Sequence, residues 1–394
     1  MLAEPTLGAA VADGIPDDLR DGYEIHRAAL SYGMDVSLYP RQVLLAGYRD
    51  SDVRLAFVHG IPQTSNLAAV TYAQDKRMRR ELLARAGLPV PEGATFAIGR
   101  QRDGARRFAR AIGYPVVVKP AVGENMREVF AGLWNERELD AAIDYFRTPE
   151  ADRPGFTRAA YSLTLLLEPD EEDGRTVTPA GYQFLLERHV SGRPLRLLVI
   201  GDRVVSGVYL PGDSATAQDG TGGDVCDEVH PTVAALAVRA ARAVPGLAAA
   251  AVDLVLADHR RAVRDQPLWI VDFSERPSLA AQASVSGHRS AELGDTLLSE
   301  HAADSEITLG PPRDEIRIGF RADGATDPAA VVTAITNAAD ELGLTNQVRV
   351  TDRVEGTASG TFEGPPAYIA LIFELLTSGR LHGQRAMLIE EDHQ

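Results

Sequence analysis

GYPVVVKPAVGENMREV, residues 113–129, is the run from which the fold is read. Gly113 and Pro115 break the chain, Val116, Val117 and Val118 follow, and Lys119–Pro120 closes the run. A short β-branched stretch bounded by Gly and Pro is the pattern of a buried strand. Ahead of it Arg102–Ile112 is amphipathic at helical spacing and stops at Gly113, as a helix does. Behind it, after a turn around Gly123, Val129–Leu133 reads as another strand. Lys119 thus stands at the end of a buried strand with a desolvated stem and a fixed head. Two readings are open: an ammonium held for a phosphate oxygen, or a lysine snorkelling from a strand end.

Working outward, Arg41–His59 gives two apolar runs of an αβ opening, and Leu67–Ala86 reads as one helix ended by Gly87, Pro89 and Pro91. That helix carries Asp75 and Lys76; Lys76 alone would be a solvated helix lysine. Asn135 followed by Glu138 resembles a capping box for a helix to Phe146. Thr148–Arg158 and Pro169–Thr178 read as loops or ordered insertions. Tyr182–Val190, Leu195–Ile200 and Arg203–Leu210 are strands, and Pro211–Gly223 has the composition of a surface loop. An Ala-rich helix, Val233–Val244, precedes the strand pair Ala250–Leu256 and Leu268–Phe273. Asp253 and Asp272 lie on that pair. Pairing across the charged hairpin brings both carboxylates to one end of a sheet, which suits either a divalent cation or capping by loop amides. Arg196, on the strand after the turn Ser191–Pro194, offers a fork of donors for phosphate or carboxylate, or else a surface ion pair.

A break falls at Leu309–Gly310–Pro311–Pro312, and a βαββαβ pattern follows. Its strands are Glu315–Arg321, Gln347–Val354, Thr357–Phe362 and Gln384–Glu390, with helices at Ala329–Leu342 and Pro366–Ser378.

The 394 residues suffice for two or three domains. Against 40 Lys+Arg stand 56 Asp+Glu, and the formal charge of −16 repels nucleic acid and anionic membranes at long range. A lone cysteine, Cys226, points to a reducing compartment. No signal peptide is visible at the start of the sequence, and no apolar run reaches the roughly 18 residues of a membrane span. A cytoplasmic protein without nucleic-acid or membrane partners is the expectation.

Taken in order, several of these segments resemble the ATP-grasp domain of cyanophycin synthetase-like ligases. They are TSNLAAVTYAQDKRMRRELLARAGLPVPEG (Thr64–Gly93), the opening run, LLERHVSGRPLRLLVIGDRVV (Leu185–Val205), GGDVCDEVHP (Gly222–Pro231), AAVDLVLAD (Ala250–Asp258) and IVDFSERPSL (Ile270–Leu279). The resemblance implies an α/β ATP-grasp fold, with a pre-ATP-grasp region at 1–75 and an ATP-grasp domain at 76–308, whose subdomain 92–190 binds ATP. It implies that Lys76, Lys119, Gly123 and Arg127 contact the ATP phosphates, and that Leu185, Leu186 and Glu187 hold adenine or ribose. Asp253, Asp272, Ser274 and Glu275 would bind Mg²⁺, or Mn²⁺ in its place. Arg196 would face the transferred phosphoryl group, and Arg276 would take a substrate carboxylate or phosphate. His230 and Asp224 lie on a loop positioned to meet an acceptor amine or to serve as plain loop polarity. The sequence departs from the family at Met126 and Glu128, where glycines are usual, and at Asp272 and Ser274, where Glu and Asn are usual.

Residues 313–394 resemble acylphosphatase, an α+β ferredoxin-like fold, through ELGLTNQVRVTDRVEGTASGTFEGP (Glu341–Pro365). Val332 and Val350 stand where that family has its phosphate-binding arginine and catalytic asparagine, which implies a module without catalysis, used for packing, substrate contact or dimerisation. The activity implied is an ATP-dependent ligation of an amino-acid or peptide carboxylate to an amine through an acylphosphate, possible as a homo-oligomer. Two alternatives are transfer to a carrier-protein thiol or a hydroxyl, and a nucleotide-binding pseudoenzyme.

Overall fold

A computed structural model of the chain describes residues 15–122, 128–148, 170–172, 175–177, 182–210, 223–284 and 287–394. It divides into two units, Met1–Thr64 with Arg276–Gln394, and Ser65–Glu275.

In the first unit, helix α1 (Asp17–Ser31) starts with Asp17 and Asp18, whose charges complement the positive end of the helix dipole. It buries Leu19, Ile25, Ala28, Ala29 and Leu30. Strands β1 (Asp35–Tyr39), β2 (Val43–Gly47), β3 (Leu55–Val58) and β4 (Ile61–Pro62) follow as an antiparallel meander. Gln42, at the β1–β2 turn, fastens that hairpin to α1: its side chain accepts from Gly22 N at 3.0 Å and donates to Asp18 O at 2.7 Å.

The second unit opens with two helices where the sequence reads as one: α2 (Leu67–Gln74) and α3 (Lys76–Arg85). The cause is Asp75. Its backbone is extended (φ −88°, ψ 107°), it bridges to Val122, and its carboxylate caps α3 by accepting Arg77 N at 2.9 Å. The break makes Lys76 the first residue of α3 and ties its N–H to Ala121 O at 2.8 Å. Strand β5 (Gly93–Ala97), helix α4 (Arg102–Ile112), strands β6 (Val116–Pro120) and β7 (Phe130–Leu133), and helix α5 (Glu136–Arg147) come next. The cap is present in altered form: Asn135 accepts from Glu138 N at 3.1 Å, while the Glu138 carboxylate accepts from Trp134 N, one residue before the cap, at 2.7 Å. Within Pro169–Thr178, expected to be a loop or an ordered insertion, lies a short hairpin, β8 (Asp170–Glu172) and β9 (Arg175–Val177).

Strand β10 (Gln183–Arg188) then enters between β5 and β6, giving a sheet of order β5-β10-β6-β7. Val116, Val118, Phe184, Leu186, Ile112, Ile143 and Phe146 make its core with α4 and α5. A second four-stranded sheet, order β12-β11-β13-β14, is built from β11 (Arg193–Ile200), β12 (Arg203–Tyr209), β13 (Ala249–Leu256) and β14 (Leu268–Ser274). Helix α6 (Pro231–Arg242) covers it with Val233, Leu236, Ala237 and Ala240.

Returning to the first unit, α7 (Ala280–Ala283) and α8 (Gly287–Asp304) lead to β15 (Ile316–Asp323), α9 (Pro328–Glu341), β16 (Thr345–Asp352), β17 (Thr357–Gly364), α10 (Pro366–Ser378) and β18 (Leu388–His393). The last strand lies later than Gln384–Glu390, because Gln384 is spent on a bridge to Leu381. All eight strands of this unit form one antiparallel sheet, order β16-β17-β15-β18-β1-β2-β3-β4. Strand β18 joins its halves, with Glu391 opposite Phe320 on one side and Val36 on the other. Residues 313–394 therefore share a sheet with the N-terminal strands, a grouping unlike three consecutive segments. No described helix is long and apolar enough to cross a membrane.

Candidate functional site

Of the residues singled out in the second unit, Lys76, Lys119, Leu185, Glu187 and Asp272 come together at one cavity. In α3 the residues Lys76, Arg79, Arg80 and Leu83 recur at i, i+3, i+4 and i+7, so one helix face carries three cations and an apolar anchor. That face lines a cavity together with Val90, Lys119, Leu185, Glu187 and residues 270–273 of β14. The cavity measures about 20 Å³, enough for about one water molecule. Larger ligands must part the side chains that close it.

Lys119 does much of that closing. Antiparallel pairing sets it opposite Leu185, one strand position from Glu187's neighbours. Its Nζ lies 2.6 Å from Glu187 Oε2 and donates to Val271 O at 2.9 Å, so it links the two sheets. Burial pushes the Lys119 pKa down, and the Glu187 carboxylate pulls the other way. The other Glu187 oxygen sits 2.7 Å from Arg80 Nη1. Gly93 on β5 makes this possible: a Cβ there would lie 2.6 Å from Glu187 Cγ and 2.8 Å from Leu186 O. Any larger residue would push β5 away from the strand that presents Glu187.

On the second sheet three of the candidate side chains fall in one row. Arg196 of β11 is opposite Asp253 of β13, and Asp253 is opposite Asp272 of β14. The expected pairing of the two carboxylates is therefore present. Both Asp253 oxygens are engaged by Arg196, from Nε at 2.7 Å and Nη2 at 2.8 Å, in a buried bidentate pair. Asp272 is ion-paired with Arg79 and accepts Phe273 N at 3.0 Å. Arg79 also donates to Phe273 O, and to Ala73 O at 3.2 Å. Burial lowers the Arg79 pKa to about 10, against the field of Glu275, Glu187, Asp253 and Asp75, so it remains a cation at neutral pH.

The residues expected to hold Mg²⁺ do not assemble as a ligand set. Asp253 is satisfied by Arg196, Asp272 by Arg79, and Glu275 accepts from Gln74 at 3.0 Å. Ser274 is opposite Ala251 at the end of β14. Among the described residues no three His, Cys, Asp or Glu side chains converge as a metal site. The donors present fit a guanidinium better than a divalent ion, because each carboxylate of the row already has one.

The remaining expectations divide. Leu185 lines the cavity, whereas Leu186 points into the core of the first sheet. Arg276 belongs to the first unit, where its Nε lies 3.1 Å from Asp21 Oδ2 and Asp21 also caps Leu279 N at 2.7 Å. Gly123 and Arg127 lie outside the described residues. Asp224 accepts from Gly207 N and Cys226 N, and His230 caps α6, so both have structural work. Arg79 and Arg80 were not picked out from the sequence. The signal was there: two cations at the same helical spacing as Lys76 and Leu83.

Residues 75–128, which hold Lys76, Arg79 and Lys119, match the family described as the carbamoyl-phosphate synthase L chain, ATP binding domain. The cyanophycin synthetase of Crocosphaera subtropica is 24% identical over 344 residues, 76% of this chain and 37% of that protein. The D-alanine–D-alanine ligase of Desulforudis audaxviator is 39% identical over 87 residues, 22% of this chain and 28% of that protein. The chain thus spans only 37% and 28% of the length of these two curated relatives. The solved structure of D-alanine–D-alanine ligase from Bacillus anthracis is 13% identical, with a TM-score of 0.41 over 61% of this chain and 71% of that chain.

Proposed function

We propose that this chain, a relative of the ATP-grasp ligases, uses ATP to activate a carboxylate and joins the acyl group to an amine. The observation that carries the reading is the cavity of the second unit, where Lys76, Arg79, Arg80 and Lys119 face the apolar side chains Leu83, Val90, Leu185, Ile270 and Phe273. Four cations beside an apolar wall suit a nucleoside triphosphate, whose phosphates need charge and whose base needs a dry surface.

In the reaction read here, a substrate carboxylate oxygen attacks the γ-phosphorus, the bond to the β-phosphate bridging oxygen breaks, and ADP leaves. The amine nitrogen then attacks the acyl carbon of the acylphosphate. The C–O bond to phosphate breaks, inorganic phosphate leaves, and the nitrogen gives up a proton. The chain supplies position and charge neutralisation, with no covalent nucleophile. Lys76 and Lys119 are assigned to the phosphates, and Glu187, freed from Lys119 by the incoming phosphate, to the ribose. Arg196, held in plane by Asp253, is assigned to the phosphoryl group in transfer. An amino acid or short peptide is the substrate class, by resemblance to the relatives.

The C-terminal residues are read as a ferredoxin-like module without acylphosphatase chemistry. Their βαββαβ order and the sheet sequence β16-β17-β15-β18 support the first part of that reading, and Val332 and Val350 support the second. A second reading of the whole chain, nucleotide binding without turnover, draws on the arginine-paired Asp253 and Asp272.

An ADP-release screen over pairs of amino acids, with Lys119→Ala as the blank, tests the ligase. ADP and phosphate in equal amounts with an amide product are expected. AMP and pyrophosphate would overturn it, and nucleotide binding with no release over the whole panel would favour the second reading.

A further inference from the structure

Arg79 is the odd residue of the cleft. It is 6% exposed, on the α3 face that lines the cavity, yet its guanidinium turns to β14 and not to solvent. Its bonds to Ala73 O, at the end of α2, and Phe273 O, on β14, tie the group to both elements. Asp272 completes the arrangement as its ion-pair partner. Four further carboxylates, Glu275, Glu187, Asp253 and Asp75, act on it favourably through space. Of the cations of this region, Arg79 is the one paired with Asp272, beside the proposed phosphate site.

We propose that Arg79 is the resident cation of this cleft, neutralising Asp272 in place of a divalent ion, so that nucleotide is bound with little dependence on Mg²⁺. The chemistry favours it over an exchangeable ion. A guanidinium stays charged at every physiological pH, is weakly hydrated, and presents several N–H groups in a plane. The three contacts above use both hydrogens on Nη1 and one on Nη2. A metal ion would need Asp272 stripped of this partner and would arrive next to a fixed positive charge. Arg196 closes the neighbouring carboxylate, Asp253, in the same way. The row that resembles a metal site is thereby occupied by two guanidinium groups.

The inference rests on the ATP reading of the cavity, and its test separates the two. Affinity of the full chain for AMPPNP is measured by calorimetry in excess EDTA and in saturating MgCl₂. Manganese bound in the AMPPNP complex is counted by electron paramagnetic resonance. For the unaltered chain the two affinities should agree within about threefold, and Arg79→Lys, which keeps the charge, should behave alike. Arg79→Gln should lose about tenfold or more in EDTA, recover in MgCl₂, and bind one manganese ion more than the unaltered chain. The inference is overturned, with the ATP reading intact, if the unaltered chain binds AMPPNP only with metal and manganese binding is lost in Asp272→Asn. Absence of AMPPNP binding under both conditions overturns both. The manganese count on the unaltered chain decides the matter even where Arg79→Gln does not fold.

Discussion

The first unit buries a charged cluster made of His26 on α1, Glu374 on α10 and Glu391 on β18, and the second buries one made of Lys119, Glu187, Arg79 and Asp272. The first is sealed: the three residues are 0%, 1% and 1% exposed, with His26 Nε2 2.8 Å from Glu391 and Nδ1 3.3 Å from Glu374. The second lines a cavity: Lys119, Glu187 and Arg79 are 5–6% exposed, and Asp272 is more so. Sealed charges have no partner to exchange and can only hold their elements together. Lys119, which lines the cavity, has in Glu187 a partner oxygen that a phosphate oxygen is able to replace. On the function proposed above, the same kind of ion pair serves architecture in one unit and ligand binding in the other.

Removing His26 should give the largest effect. His26→Leu leaves Glu374 and Glu391 buried together without their cation, and breaking such a pair costs about 3–5 kcal/mol. Denaturant unfolding should show that loss while AMPPNP affinity stays unchanged. The pH dependence carries the same signature. Burial alone would lower the His26 pKa, but Glu391 and Glu374 prevail and raise it to about 10. A raised folded-state value means that the stabilisation is complete below pH 6.5, the ordinary imidazole value, and is lost as pH rises toward 10. Glu391, raised by burial, adds to the same trend above its ordinary carboxylate range. Unfolding midpoints measured from pH 6.5 to 10 should fall for the unaltered chain and stay flatter in His26→Leu. Equal slopes would break the comparison, since the cluster would then not be the cation-centred lock described.

Lys119→Ala should do the reverse. Its loss removes a cation aimed at the proposed phosphates and should weaken AMPPNP binding by on the order of a hundredfold. Global stability should change less than in His26→Leu, because Glu187 keeps Arg80 as a partner at 2.7 Å. If affinity holds and stability falls, the cleft is a structural cluster like the first one.

Why one cluster is legible in the sequence and the other is not follows from chain distance. Val116–Pro120 is readable as a strand because Gly113 and Pro115 fence off the valines. Asp253 and Asp272 are readable as partners because a single hairpin joins their strands. The His26 cluster draws on residues 365 apart, and nothing local announces that β18 pairs with β1. The split of Leu67–Ala86 was hidden for a related reason: Asp75 leaves helical geometry to bridge Val122, a residue of the opening run. In a continuous helix Lys76 is a solvated lysine; as the first residue of α3 it lines the cavity. The arginine partners of Asp253 and Asp272 were not legible, because carboxylate positions are visible in a sequence without their counter-ions. Only the fold brings Arg196 and Arg79 to them.

The smallest effect should come from Asn135, which belongs to neither cluster and so calibrates both. Its side chain caps α5 by accepting Glu138 N at 3.1 Å, and Asn135→Ala leaves that N–H to water. Loss of such a cap costs about 1 kcal/mol. Helix α5 packs Leu139, Ile143 and Phe146 onto the sheet that carries Lys119, on the side away from the cavity. Unfolding should therefore register the cap's loss while AMPPNP affinity and the pH profile keep their values. A fall in affinity here would mean that the cleft responds to any loosening of its sheet, and the hundredfold effect at Lys119 would then have to be divided between charge and rigidity.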